Sequence, residues 1–523
     1  MTTSDHAAYD AFPYESNAFA ASHPAHIAGV ARLFNLEPAE LKNARILELG
    51  SAAGGNIIPL ALYYPGITVV GVDYSKVQID DGNRVIEQLG LTNASLHHMS
   101  IGDITPEFGQ FDYIICHGVF SWVPDDIKDA ILRVCNENLT EKGIAYVSYN
   151  VYPGWKTHEI ARDAMLFHTR NLTDPVEKVA HGRGMIDYMH QMSREGSMFR
   201  HVMDAEAKLI QSAQPYYIAH EFFETHNAPC YFNEFARHAS THQLTYLGES
   251  DISSMFVENL GEEHKQRLIN ASGGQQIELE QYLDFLNNRP FRQSLLCKNS
   301  NAAHMKRQID RANFTQLDYI SNLVEDSHAE NTSAGIRFHA VNDANRWIIA
   351  QTPTQIETLR TLQLTAPNTL TFNELQQAVQ TATDEQFNLD ELTAFLERLT
   401  VMGYIAPQMH TPALTFTNAI SAKPRMHDAA RRYIALTGRV TGALHNIIGN
   451  NPMMAAMMDK LDGQHSIEQL EDIAWQTVQA GKLGFTNNQT QTALTDPDAI
   501  RHEIKTHLKF TLEQLAQHGF FLS

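Results

Sequence analysis

Residues 44–56, Ala-Arg-Ile-Leu-Glu-Leu-Gly-Ser-Ala-Ala-Gly-Gly-Asn, constrain the fold of this chain more than any other stretch. Ile46, Leu47 and Leu49 read as a buried strand. Gly50 and Gly54 then read as a tight turn, and residues 57–64 as the helix that follows. Glycines at a strand-to-helix turn bring backbone N–H groups close to a ligand, and a helix N-terminus favours negative charge. Many α/β proteins carry such a loop, so its meaning depends on the next hundred residues.

Those residues alternate strand and helix. Residues 67–73 are apolar and end in Asp73, 94–99 precede Gly102-Asp103-Ile104, and 111–116 precede His117. A helix over 125–139 separates the fourth strand from a fifth at 143–149. Near-continuous apolar strands alternating with helices predict a mostly parallel, doubly wound sheet covered on both faces. Ligands of such sheets bind beyond the carboxyl ends of the strands. Glu48, Asp73, Asp103 and His117 fall at or near those ends.

The remainder divides into an N-terminal arm or lid at 1–40, a helical segment at 156–305 and two C-terminal units at 306–410 and 411–523. Pro24 should open a helix in the arm, and Tyr9 to Tyr14 are aromatic and turn-rich. The helical segment holds aromatic stretches at 216–226 and 228–238, then a helix, a break at Pro290 and a second apolar stretch. The two C-terminal units resemble each other. Each has a polar loop, a short helix, a longer leucine-bearing helix and an apolar strand, at 403–405 and 519–522, which is a winged-helix-like α+β layout.

The 523 residues carry a formal charge of −21 and no Lys/Arg cluster, which argues against a nucleic-acid partner. The four cysteines lack metal or disulfide spacing, and no apolar run is long enough to span a bilayer. A cytoplasmic protein without stable membrane insertion is expected. Among the 26 histidines, His238 and His242 stand one helical turn apart, with His220 and His226 nearby. No cysteine or acid at matching spacing completes a zinc set, so no metal site is expected.

The acids choose between nucleotide ligands. Asp73, about twenty residues past the glycine loop, suits ribose hydroxyls, which NAD would also offer. Glu48 just before the glycines would repel a pyrophosphate. It is compatible with the amino group and sulfonium of S-adenosylmethionine. Asp103 suits the adenine amino group, with Ile104 against the ring.

The set Glu48-x-Gly50-x-Ala52-x-Gly54, then Asp73, Gly102-Asp103 and Phe111-Asp112, resembles the ordered motifs of class I S-adenosylmethionine-dependent methyltransferases. Ala52 stands where many members have glycine. The resemblance implies a Rossmann-like domain over 41–155, with Asn56 and Tyr74 joining the cofactor residues. Residues 148–155, the His-Glu-Phe-Phe segment at 220–223, 229–232, 288–292 and Tyr14 further resemble bacterial methyltransferases with a methyltransferase regulatory domain. That group includes protein lysine methyltransferases with winged-helix-like C-terminal domains, which implies a protein substrate and a lysine acceptor. The helical segment is a candidate homodimer surface.

Methyl transfer to an amine needs an aligned, neutral nucleophile. The candidate acceptor residues are His117, Trp122, Tyr149, Asn150, Tyr152, Trp155 and Tyr14. Aromatic walls suit a lysine stem and cation, and Asn150 and tyrosine oxygens could orient the amine. His117 is also a candidate base. A small-molecule acceptor and a catalytically idle cofactor-binding scaffold stand as alternatives.

Overall fold

The computed structural model describes residues 15–326, 335–341, 343–411, 414–486 and 492–523, leaving aside the side chains of Glu258 and Asn259. Tyr14 and the rest of 1–14 lie outside the described residues.

The centre is a seven-stranded sheet in the order β3-β2-β1-β4-β5-β7-β6. β1 (Arg45–Leu49), β2 (Thr68–Asp73), β3 (Ala94–His98), β4 (Phe111–Cys116) and β5 (Leu139–Asn150) run parallel. Their apolar side chains are buried on both faces, Ile46, Leu47 and Leu49 completely. Asp112 ties three strands at the edge away from the site. Its carboxylate accepts from the Arg45 backbone N–H at 2.9 Å and from the Thr140 hydroxyl at 3.0 Å. β1 lies between β2 and β4, so the chain order reverses there and a crevice opens at the strand ends.

The sheet does not end near residue 155. β6 (Leu244–Glu249) and β7 (Phe291–Lys298) complete it as antiparallel neighbours, β7 pairing with β5 from Ala145↔Leu296 to Asn150↔Phe291. The segment expected to be helical therefore supplies two strands of the α/β unit. Arg292 of β7 is the buried cation of this half. Its guanidinium is fully buried against Glu249 Oε1 (2.9 Å), Glu280 Oε2 (3.0 Å) and Asp284 Oδ2 (2.8 Å), and lies 3.7 Å from the centroid of the Phe232 ring. Between β5 and β6 four helices, Trp155–Thr169, Pro175–Met192, Met198–Ser212 and Pro215–Phe223, build a small core of their own around Met165, Ile186, Ile210 and Phe222.

The helix opened by Pro24, α1 (Pro24–Leu33), is buried nearly all round. It joins the sheet to the C-terminal half. His26 places Nδ1 3.0 Å from the Pro407 carbonyl and Nε2 2.9 Å from the Ser250 carbonyl. Gly29 has no room for a Cβ, because the Pro407 backbone lies against it.

The internal similarity of the C-terminal units is physical. Capping boxes start the corresponding helices Phe372–Thr383 (Thr371 with Glu374) and Ile467–Gln479 (Ser466 with Gln469). The longer helices Leu389–Val401 and Pro497–Gln517 bury Leu392, Leu396 and Leu399, and Leu508, Leu512 and Leu515. The second unit ends in the expected strand, Phe521–Leu522, paired with Phe416–Thr417. The first does not. Residues 403–405 form a turn after Gly403 (φ +72°), and Gln408 bridges to Asp318 instead. Among the described residues no helix is long and apolar enough to cross a membrane.

Candidate cofactor and acceptor site

The glycine loop leaves β1 with three residues in the left-handed region: Gly50 (φ +76°), Ala52 (φ +48°) and Gly54 (φ +75°). Gly50 must lack a side chain, since a Cβ there would strike Val119 of the loop after β4. The two loops that flank the crevice thus touch. Ala52 adopts the strained conformation with its methyl in place, a cost of roughly 1–2 kcal/mol. Asp73 holds it there: Oδ2 accepts from the Ala52 N–H at 2.8 Å and Oδ1 from the Ser75 N–H at 2.7 Å. Each carboxylate oxygen retains a lone pair for a ribose hydroxyl.

Glu48 is buried, and burial pushes its carboxyl up to about 8. Oε1 accepts from Asn56 Nδ2 at 2.8 Å, and Oε2 is buried with no partner among the described residues. An unpaired buried carboxylate oxygen is costly in isolation and fits a cationic amino group. The donor set thus suits S-adenosylmethionine. Tyr74 is half exposed and its ring lies 6.2 Å from that of His98. Asp103 is exposed at the end of a 3-10 turn (Ile101–Asp103), whereas Ile104 is wholly buried in the core and its carbonyl accepts from Arg133 Nη1.

A strap of residues 15–23 crosses the loop. Gly55 N–H donates to Ser16 Oγ at 2.7 Å, and Phe19 N–H to Asn56 Oδ1 at 3.0 Å. A Cβ on Gly55 would overlap the Ser16 carbonyl. The Phe19 ring stacks on His117, which in turn places Nδ1 2.8 Å from the Tyr146 hydroxyl. From the C-terminal unit His445 Nδ1 reaches the Phe19 carbonyl at 3.4 Å. Burial lowers His117 to about 4, so its imidazole is neutral at physiological pH. That value makes it a weak base. Ser16, Phe19 and His445 escaped sequence reasoning. No local signal in the sequence pointed to them.

The acceptor candidates divide. Trp122 and Trp155 meet edge to face at 6.0 Å. Asn150 is buried beside them, its N–H donating to Ser121 Oγ at 2.8 Å, and Ala228 N–H donates to the Ser121 carbonyl at 2.9 Å. Asn150 Nδ2, Trp155 Nε1 and Asn227 Oδ1 are all buried without a partner among the described residues. Tyr152 is half-buried, its hydroxyl 2.6 Å from Glu159 Oε1 and its ring 5.5 Å from Tyr231. Tyr149 does not join them. It is fully buried, stacks on Phe235 at 3.9 Å and bonds Ser294 Oγ at 2.9 Å, because alternate β5 side chains face opposite sides of the sheet.

The histidines also depart from expectation. His220 pairs with Glu224 at 2.9 Å. His238 and His242 do have an acid: both Nε2 atoms point at Asp129 Oδ1, which stands more than a hundred residues earlier in the chain.

Comparison with known proteins agrees with this geometry. Residues 40–214 match a family described as a methyltransferase domain, 214–298 a predicted methyltransferase regulatory domain, and 422–520 the PKMT C-terminal winged helix domain. An uncharacterised protein of Rickettsia prowazekii, RP789, is 32% identical over 100% of this chain and 95% of its own length. A second from that organism, RP028, is 34% identical over 44% of this chain and 93% of its own. PKMT2 from Rickettsia typhi, solved in complex with AdoHcy, superposes with a TM-score of 0.85 at 27% identity, covering 98% of this chain and 100% of that one. The glycine loop, the acids at the strand ends and these relatives together show that the chain belongs to the class I S-adenosylmethionine-dependent methyltransferases that carry a methyltransferase regulatory domain and a PKMT-type winged helix domain.

Proposed function

We propose that this methyltransferase acts in the cytoplasm on lysine side chains of a protein acceptor. The observation that carries the reading is the likeness to PKMT2, which extends through the winged-helix units as well as the sheet. A metabolite acceptor would make no use of the further units that follow the sheet. Glu48, Asn56, Asp73 and the loop Gly50–Gly54 would hold the cofactor. When bound, S-adenosylmethionine supplies the electrophilic methyl group. Trp122 and Trp155 would flank the lysine stem, and Asn150 would orient the amine. The ammonium proton leaves to water before transfer, since neutral His117 is too weak a base to take it.

The test uses methyl-labelled S-adenosylmethionine, full-length protein and a fractionated cell extract. Label in protein bands, and in methyl-lysine after hydrolysis, supports the reading. Label confined to small molecules overturns it, and so does cofactor binding with no label anywhere.

A further inference from the structure

We infer that Asp129, His238 and His242 form a binding site for one divalent transition-metal ion, zinc by its ligand chemistry. Asp129 lies on the helix that follows β4 (Asp125–Glu137). His238 lies in the last turn of the helix Phe232–Thr241, and His242 caps that helix. One helical turn places both imidazoles on one face. Both present Nε2 to the same carboxylate oxygen, His238 at 2.6 Å and His242 at 3.3 Å. One ligand atom from each residue can be chosen so that all three lie within 4.8 Å of one another.

Zinc–nitrogen and zinc–oxygen bonds of about 2.0–2.2 Å in a tetrahedron put ligand atoms about 3.3–3.5 Å apart. The His242 edge already has that length. The His238 edge must open by roughly 0.7 Å, which a turn of the Asp129 carboxylate supplies, because that side chain is 60% exposed. Two imidazoles and one carboxylate prefer zinc, nickel or cobalt to magnesium or calcium, which take oxygen sets. The exposed side leaves a fourth position for water. On binding, each imidazole presents Nε2 as a lone pair and keeps its proton on Nδ1, so any Nε2 proton passes to solvent.

The site has a rigid frame. All three ligands stand on or at the end of helices, and the His238 ring packs 6.2 Å from that of Phe120. Phe120 opens the 3-10 turn Phe120–Trp122, and the Asp129 helix begins just beyond it. A bound ion would fasten the helix after the acceptor turn to the helix that leads into β6. This inference does not depend on which acceptor is methylated.

The experiment uses the full-length protein, stripped with a chelator and titrated with Co²⁺. The expected result is one equivalent bound with a visible d–d band of low-symmetry four-coordinate cobalt, displaced by one equivalent of Zn²⁺. Asp129→Asn, His238→Ala and His242→Ala should each weaken binding beyond the about 100-fold that a change in the surrounding shell can cost. His502→Ala, at an exposed histidine of the C-terminal unit, should leave it unchanged. Absence of the band, or a band that survives His242→Ala, overturns the site. X-ray absorption of the zinc-loaded wild-type protein is a check free of variants. Nitrogen and oxygen neighbours that include two imidazoles are expected, and sulfur or an all-oxygen shell would overturn the assignment.

Discussion

Phe19 stacks on His117 with ring centroids 3.7 Å apart, which sets the N-terminal strap directly over the end of β4. The strap is also held by Asn56 of the glycine loop and by His445 of the C-terminal unit. Removing the ring should release one anchor of several. An aromatic pair contributes about 0.5–1.5 kcal/mol beyond burial, so Phe19→Ala should weaken S-adenosylhomocysteine binding about 3- to 10-fold. Calorimetry measures this. Tighter binding would mean that the strap obstructs the crevice rather than closing it.

Asp73 has two duties. It fixes Ala52 and Ser75, and in the proposed cofactor site it would also accept from the ribose hydroxyls. Asp73→Ala should therefore lose roughly 3 kcal/mol of cofactor affinity, about 100-fold, and lower the melting temperature as well. Unchanged calorimetric affinity would remove Asp73 from the cofactor site.

Glu48 should give apo-protein stability a pH dependence. Burial, more than any neighbour, pushes its carboxyl up to about 8, against about 4.3 in an unfolded chain. Between those values the folded state keeps a proton that the unfolded state has released. The contribution is therefore complete below about pH 4.3 and is lost as pH rises through 8, with a slope of at most about 1.4 kcal/mol per pH unit. Buried His23 and His445 are lowered and slope the other way. The informative quantity is thus the difference between wild type and Glu48→Gln in urea denaturation from pH 5 to 8. The variant should lose less stability across this range than wild type, and parallel curves would contradict the assignment. Cofactor binding near pH 7 should release a proton from the wild type, visible by calorimetry in two buffers.

Arg292 puts one buried cation among Glu249, Glu280 and Asp284. Arg292→Met keeps the volume and leaves Glu249 and Glu280 without their cation, while Asp284 keeps Arg289 at 3.6 Å. The expected cost is about 3–5 kcal/mol, read from the denaturation midpoint. A loss under about 1 kcal/mol would mean that the cluster contributes little to stability.

The parallel half of the sheet was legible in the sequence because its information is local. Each strand, loop and helix announces itself within about fifteen residues, and Glu48, Gly50, Gly54, Asp73 and Asp103 sit at fixed places in that pattern. The C-terminal repeats were legible for the same reason, through their polar loops and leucine-bearing helices, although the strand expected at 403–405 is a turn. Strands β6 and β7 were not. Their aromatic and apolar residues fit a helix as readily, and antiparallel pairing with β5 depends on a register that no short stretch encodes. The pleat was equally hidden: Tyr149 and Asn150 are neighbours and both buried, but Tyr149 stacks on Phe235 while Asn150 Nδ2 has no partner among the described residues.

By itself, then, the sequence determined the cofactor-loop chemistry, since strand-end residues keep their place whatever packs around them. Tertiary structure alone decided what covers that loop and what gathers beyond it. Phe19 meets His117 across 98 residues, His445 meets Phe19 across 426, and Asp129 meets His238 across 109. Such meetings follow from how the buried faces of distant elements fit one another, and that fit is a property of the whole core, with no spacing in the chain to signal it.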